Sequence, residues 1–120
     1  MMDDEELLRY AYAAFNARNV DAALATMHPG VEWPNGMEGG TVRGHQGVRE
    51  YWTRQWTLID PRVEPLSFTR LDDGRMAVDV RQVVHDHEGK LLLDQRVQHI
   101  YRIENRLVRG MEIRDAAAES

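Results

Sequence analysis

Hydrophobic positions along this chain keep a helical period in its first half and a period of two in its second. Leu7, Leu8, Ala11, Tyr12, Ala14 and Phe15 recur at spacings of three and four. Asp3, Asp4, Glu5 and Glu6 precede them, where the positive end of a helix dipole favours acids. This pattern predicts a helix over 3–18, broken by Asn16-Ala17-Arg18-Asn19. A second, short helix follows over Val20 to Met27, starting near Asn19 or Asp21. His28-Pro29-Gly30 reads as a turn, and Val31-Glu32-Trp33 as a short strand halted by Pro34. Residues 35–44 hold four glycines and read as a mobile loop. A third helix runs from Gln46 to about Ile59, with Val48, Tyr51, Trp52, Gln55, Trp56 and Ile59 on one side and Pro61 beyond its end.

After Ile59 the period changes to two and four strands are expected, over about 62–71, 76–85, 91–103 and 107–115. Asp72-Asp73-Gly74 is a turn. Glu88-Gly89 suits a two-residue hairpin, which pairs His87 with Lys90. That register sets Val84 opposite Leu93, Val80 opposite Val97, Val78 opposite His99 and Met76 opposite Tyr101, apolar meeting apolar at most positions. A three-residue turn, Glu104-Asn105-Arg106, would pair Ile103 with Leu107. Tyr101 then meets Arg109, His99 meets Met111 and Gln95 meets Asp115. On this register one otherwise apolar face carries Gln95, His99, Tyr101, Arg109 and Asp115. Polar groups set among apolar walls are the usual mark of a ligand pocket. Helices followed by an antiparallel meander make an α+β pattern, the helices lying on one face of a curled sheet.

Composition narrows the function classes. The 120 residues suffice for one domain spanning 1–120 with its own core. Cysteine is absent, which removes disulfides, thiolate metal sites and thiol nucleophiles. No run approaches the roughly 20 apolar residues of a membrane span, and the acidic N-terminus is no signal peptide. The expectation is a soluble, cytoplasmic protein that binds no membrane. A net charge of -5 argues against nucleic acid as a partner. His85-Asp86-His87 would set two imidazoles on one strand face, but no third ligand is evident, so neither a metal nor a cofactor is expected.

Three stretches carry a family resemblance: YAAFNARNVDAALATMHPGVEW, GHQGVREYW and the ending IYRIENRLVRGMEIRD. Together they resemble the nuclear-transport-factor-two-like superfamily, in its SnoaL-like and ketosteroid-isomerase-like branches, over nearly the whole chain. The resemblance implies a cone-shaped, curled antiparallel sheet of about four main strands plus one or two short ones, wrapped around three N-terminal helices. It also implies a pocket at the wide end and often a homodimer. The fold hosts enzymes, binding modules and assembly scaffolds, so it does not supply a function. The isomerase's residues are not carried over. Trp33 stands before Pro34 where the family's aspartate base would be, Ala11 takes the place of its helix tyrosine with Tyr10 and Tyr12 either side, and His99 takes the place of its second oxyanion residue. The resemblance to the SnoaL-type cyclases is better at the last strand, where Met111 precedes Asp115 by the cyclases' four-residue spacing.

From these readings the expected catalytic residues are Asp115, as a base, and His99, stabilising an enolate with or in place of Tyr101. Opposite Met111, His99 would lie about 13 Å along the strand from Asp115, so the two would act on separate ends of one molecule. Substrate contacts are expected from Tyr101, Arg109, Trp33, Tyr12, Phe15, Trp52, Trp56, Val78, Val80, Val97 and Met111, with Trp33 and the 35–44 loop near the rim. Plainer roles stay open beside these: Asp115 as a strand-end turn residue, His99 as a satisfied core histidine, and Trp52 and Trp56 as core. The expected function is acid–base chemistry of cyclase, isomerase or hydratase type on a small hydrophobic carbonyl or polyketide-like compound. The alternative is a non-catalytic ligand-binding or dimeric assembly module. A homodimer is expected through the outer sheet face, where Val83, Leu92 and Ile100 lie among Asp79, Arg81, Asp94, Arg96 and Arg102.

Overall fold

The computed structural model describes residues 3–115. Helix α1 spans Asp4–Asn16 and opens with a capping box: the Asp3 carboxylate accepts from the Glu6 N–H while Glu6 accepts from the Asp3 N–H. Its apolar stripe buries Leu7, Leu8, Tyr12 and Ala14. The helix ends as Asn16 turns its amide onto the later strand, donating to the Val63 carbonyl (2.7 Å) and accepting from the Val63 N–H (3.0 Å). Helix α2, Val20–Leu24, is capped by Asn19 and stops three residues before the expected Met27. The Thr26 carbonyl there accepts from the Val108 N–H, so the backbone has already left the helix to join the sheet.

Six strands form one sheet in the order β2-β1-β6-β5-β4-β3. Strand β1 is Met27–Pro34, and the expected His28-Pro29-Gly30 turn lies inside it as an irregularity. Met27 pairs with Val108 and Glu32 with Gly110, so five steps on β1 match two on β6. This β1–β6 pair is parallel; every other pair is antiparallel. Thr41–Arg43, read from sequence as loop, is the short strand β2 paired to β1. Helix α3, Gly44–Leu58, then lays Val48, Tyr51 and Trp52 into the core.

Strands β3 (Asp60–Arg70), β4 (Met76–His85), β5 (Leu91–Glu104) and β6 (Leu107–Asp115) are the expected four. Pro61 and Pro65 sit in β3 because it is an edge strand, where a missing N–H breaks no ladder. The β4–β5 register follows the expectation from Met76↔Tyr101 through Val84↔Leu93, but the expected two-residue turn with His87 opposite Lys90 is not formed. His85 pairs with Leu91, the Asp86 N–H donates to the Lys90 carbonyl, and Leu92 is the extra residue of a bulge. The Asp86 carboxylate holds the connecting turn by accepting from the Glu88 and Lys90 N–H groups. Met76, Val78, Val80, Val84, Val97 and Tyr101 are buried against the helices.

The β5–β6 hairpin departs from the expected register. Its turn has two residues: Asn105 and Arg106 both take positive φ (50° and 65°), and Glu104 pairs with Leu107. That is the mirror-image turn whose twist matches two paired strands. A bulge follows at Arg109, because Val108 pairs with Ile103 but Gly110 with Arg102. Beyond it Tyr101 meets Met111, His99 meets Ile113 and Val97 meets Asp115. The turn shifts the pairing by one residue and the bulge by another, so each facing alternates differently on the two sides of Arg109.

Candidate functional site

Between the concave side of the sheet and helices α1 and α3 lies a cavity of about 270 Å3. Its walls come from α1 (Tyr12, Phe15), the β1–β2 segment (Trp33, Met37), α3 (Tyr51, Trp52, Gln55), β4 (Gln82, Val84), β5 (Leu93, His99, Tyr101) and β6 (Met111, Ile113). Among the described residues that line it there is no aspartate, glutamate, lysine or arginine. The polar side-chain groups of its lining residues are hydroxyls, amides, indole N–H groups and one imidazole.

Those polar groups have a focus. The period of α1 points Tyr12 inward, and strand alternation puts His99 and Tyr101 on the same face of β5. The Tyr12 Oη lies 2.8 Å from His99 Nδ1, the Tyr101 hydroxyl donates to Tyr12 Oη at 2.8 Å, and Tyr101 Oη stands 3.5 Å from the same Nδ1. The Tyr12 and His99 rings stack at 12°, and Tyr101 meets Tyr12 edge-on at 89°. Relative exposures of 5%, 7% and 3% make this a desolvated cluster. Burial pulls the imidazole down to about 4, so His99 is neutral at pH 7. Burial likewise raises both phenols well above their ordinary value. Three neutral groups joined by hydrogen bonds satisfy each other where a charge would be expensive.

Around this focus the walls are aromatic. Trp33 meets Trp52 edge-on (5.5 Å, 89°), and Phe15 meets Trp52 in the same way (5.2 Å, 75°). Trp33 also lies 6.3 Å from Tyr101, so it spans from the rim to the polar cluster. The segment after Trp33 is held by two ties to α3: the Gly36 N–H donates to Tyr51 Oη at 3.1 Å, and Glu38 pairs with Arg54. Within it, Asn35 Oδ1 accepts from the Met37 and Glu38 N–H groups. The expected loose loop is therefore an ordered wall as far as Met37.

Of the residues expected at the site, His99, Tyr101, Tyr12, Phe15, Trp33, Trp52 and Met111 are brought together. Asp115 is not: at the end of β6, opposite Val97, it is exposed and outside the cavity lining. The two-residue turn and the bulge put Ile113, rather than Met111, across from His99. Arg109, expected to face Tyr101, is the bulged residue; its guanidinium donates to the Gly30 carbonyl in β1 and does not reach the cavity. Val78, Val80 and Val97 are buried core beneath the site, not lining. Trp56 backs the wall, packed on Phe15 (5.4 Å) and Trp52 (5.9 Å) with the Arg18 guanidinium 5.3 Å from its ring. Residues missed from sequence include Tyr51, Gln82, Leu93 and Ile113. All four carried a usable signal: Leu93, Gln82 and Ile113 alternate in step with residues already placed inward, and Tyr51 shares the helix side of Trp52 and Trp56. His85-Asp86-His87 ends in the β4–β5 turn, and no cluster of three or more possible metal ligands occurs among the described residues.

Arg81 binds Asp94 and Arg102 binds Glu32 within the chain, so these arginines are already matched without a second copy. Ile100, on the outer face, is 2% exposed, while Leu92 is 50% exposed. No helix among the described residues is long and apolar enough to cross a membrane.

This geometry can be set beside known proteins. A family model described as a SnoaL-like domain matches residues 8–111. A search of curated protein sequences finds no match. Among solved structures, TerC co-crystallised with polyporic acid is 29% identical, with a TM-score of 0.80 over 92% of this chain and 88% of that one. An NTF2-like protein of unknown function from Burkholderia pseudomallei is 28% identical, TM-score 0.82, over 96% and 92%. A Mycobacterium tuberculosis protein in complex with estradiol-17beta-hemisuccinate shares the fold at 16% identity, TM-score 0.76, over 89% and 88%. With a helical cap on a six-stranded curled sheet, a walled cavity beneath it and the family pattern running from Leu8 to Met111, the chain belongs to the SnoaL-like family.

Proposed function

We propose that this protein binds a small, neutral, largely apolar molecule in the cavity, with an oxygen of that molecule set against the Tyr12–His99–Tyr101 cluster. One observation carries the reading: three hydrogen-bonded polar groups sit together in an otherwise aromatic and aliphatic cavity. A core needing only to pack would not spend three buried polar side chains at one point, and a few convergent polar groups in an apolar cavity are what orient a ligand. TerC, 29% identical, was co-crystallised with polyporic acid, which is in keeping with a small-molecule ligand here too.

Any chemistry would be of the acid–base kind on a carbonyl compound, the cyclase, isomerase or hydratase class. His99, Tyr12 and Tyr101 are the groups positioned to touch the reacting oxygen; Asp115, exposed and outside the lining, is not. Of the two readings, binding needs only the cavity and the cluster, whereas turnover needs a base that this lining offers only through His99. Dimerisation through the outer face belongs to the same proposal and rests on exposed Leu91 and Leu92. Sedimentation at micromolar concentration tests it, a monomer mass counting against it.

The ligand reading is tested by tryptophan fluorescence, since Trp33 and Trp52 line the cavity and any occupant must touch them. Titration with a panel of bicyclic and tricyclic aromatic ketones should give saturable quenching. Met111→Trp, which narrows the cavity, should abolish it without changing the circular dichroism. Saturable binding that Met111→Trp leaves intact would place the ligand elsewhere.

A further inference from the structure

The hydrogen bonds of the cluster leave His99 a defined tautomer, and with it the ligand's chemistry. Neutral His99 has one N–H, on Nδ1 or on Nε2. Suppose first that Nδ1 accepts. Then the Tyr12 hydroxyl donates to Nδ1, the Tyr101 hydroxyl donates to Tyr12 Oη, and each phenol hydrogen has an acceptor at 2.8 Å. Suppose instead that Nδ1 carries the hydrogen. It then donates to Tyr12 Oη, and because the two tyrosines can share only one hydrogen bond with each other, one of their hydroxyls, on residues 5% and 3% exposed, has no acceptor among the described residues. Leaving a buried hydroxyl unpaired disfavours that order by a factor of roughly ten or more. The first order wins, and it puts the hydrogen on Nε2.

That hydrogen faces the ligand. Nε2 has no partner among the described residues, yet the fully buried polar side-chain atom lacking a partner is Trp56 Nε1, not His99 Nε2. The unpartnered nitrogen is therefore open to the cavity that His99 lines. The geometry points to a site that, building on the ligand-binding reading above, selects a neutral molecule with a hydrogen-bond acceptor, a ketone or quinone oxygen, by donating to it from His99 Nε2–H, with Tyr12 as the positioning residue that holds the tautomer. Tyr101 strengthens the arrangement by donating into Tyr12, which makes the Tyr12 hydroxyl a better donor. Low local polarity and the neutral state of His99 at about pH 7 agree with this, since a lone N–H is a stronger donor there than in water. An ionised ligand would lose its hydration with no opposite charge in the described lining to replace it.

Two measurements test this. In 15N-histidine-labelled protein without ligand, long-range 1H–15N spectra distinguish the two tautomers; the signal missing in His99→Gln assigns His99. The expected pattern is Nε2–H in the wild type and in Tyr101→Phe, and a mixture of tautomers in Tyr12→Phe. Binding is then compared for α-tetralone, tetralin (the same bicycle without the carbonyl) and 1-naphthoate. α-Tetralone should bind about threefold to tenfold tighter than tetralin, and 1-naphthoate weakest. In Tyr12→Phe the ratio of ketone to tetralin affinity should fall by about twofold or more, because the ketone must then select one tautomer from a mixture. An Nδ1–H wild type overturns the inference even if all three bind. Equal affinity for ketone and hydrocarbon, or preference for naphthoate, overturns the ligand class while leaving the cavity a binding site. Failure of all three to bind overturns both the ligand class and the ligand-binding reading, and the tautomer spectrum, which needs no ligand and no variant at position 12, still decides the hydrogen-bond order.

Discussion

Burying a neutral histidine makes stability depend on pH in a window that its two protonation equilibria define. His99 titrates near 6.5 when the chain is unfolded and near 4 when it is folded. Because the folded value is the lower, the unfolded state takes up the proton first as pH falls. The stabilisation is therefore complete above about pH 6.5, declines between 6.5 and 4, and is fully lost below 4. Integrated from pH 7 to pH 5, the loss is about 2 kcal/mol; over the whole interval it is about 3 kcal/mol. Stopping at pH 5 keeps the comparison above the range where Glu38, Asp73 and Asp94, all with lowered values, gain protons. For a domain of this size about 2 kcal/mol corresponds to a fall in Tm of roughly 6–12 °C. The control is His99→Gln, whose side-chain oxygen can still accept from Tyr12 but cannot titrate. Urea denaturation followed by tryptophan fluorescence at pH 7 and pH 5 gives the two differences. The wild type should lose about 2 kcal/mol more than His99→Gln. Equal losses in the two proteins would show that His99 is protonated or solvated in the folded state and would remove the desolvation argument.

Four other expectations follow from particular contacts. Asn16→Ala strips both hydrogen bonds from Val63 and should cost about 1–3 kcal/mol by urea midpoint. Leu8→Ala, at a position with no exposure, should cost about 2–5 kcal/mol. Arg106→Gly relieves a left-handed residue worth about 1–2 kcal/mol against glycine's greater entropy in the unfolded chain, and should raise Tm by a few degrees; a fall would place the turn in another conformation. Asp115→Asn should leave ketone affinity within about twofold of wild type by fluorescence titration, whereas a tenfold loss would return Asp115 to the site.

How far sequence reaches here is set by periodicity. Leu7 to Phe15 announced α1, and Met76 to Val84 announced their partners on β5 to the residue, because alternation that keeps apolar side chains together permits one register there; the turn, where His85 pairs with Leu91, departs from the expected Glu-Gly hairpin. Tyr12, His99 and Tyr101 could each be named in advance, two on one strand face and one on a helix stripe. Their contact could not, since a helix and a strand 87 residues apart meet only through the packing of the whole core. The last hairpin shows the limit more sharply. Turn lengths of two and three residues both suit Glu104-Asn105-Arg106, and nothing local marks Arg109 as the extra residue. Its bulge is set by β1, whose own irregularity at His28-Pro29-Gly30 offers the Gly30 carbonyl to the Arg109 guanidinium. A parallel pairing between residues some 80 positions apart leaves no trace in either strand's alternation. One residue of slip from the turn and one from the bulge together set Ile113 across from His99, with Arg109 outside the cavity lining and Asp115 exposed opposite Val97.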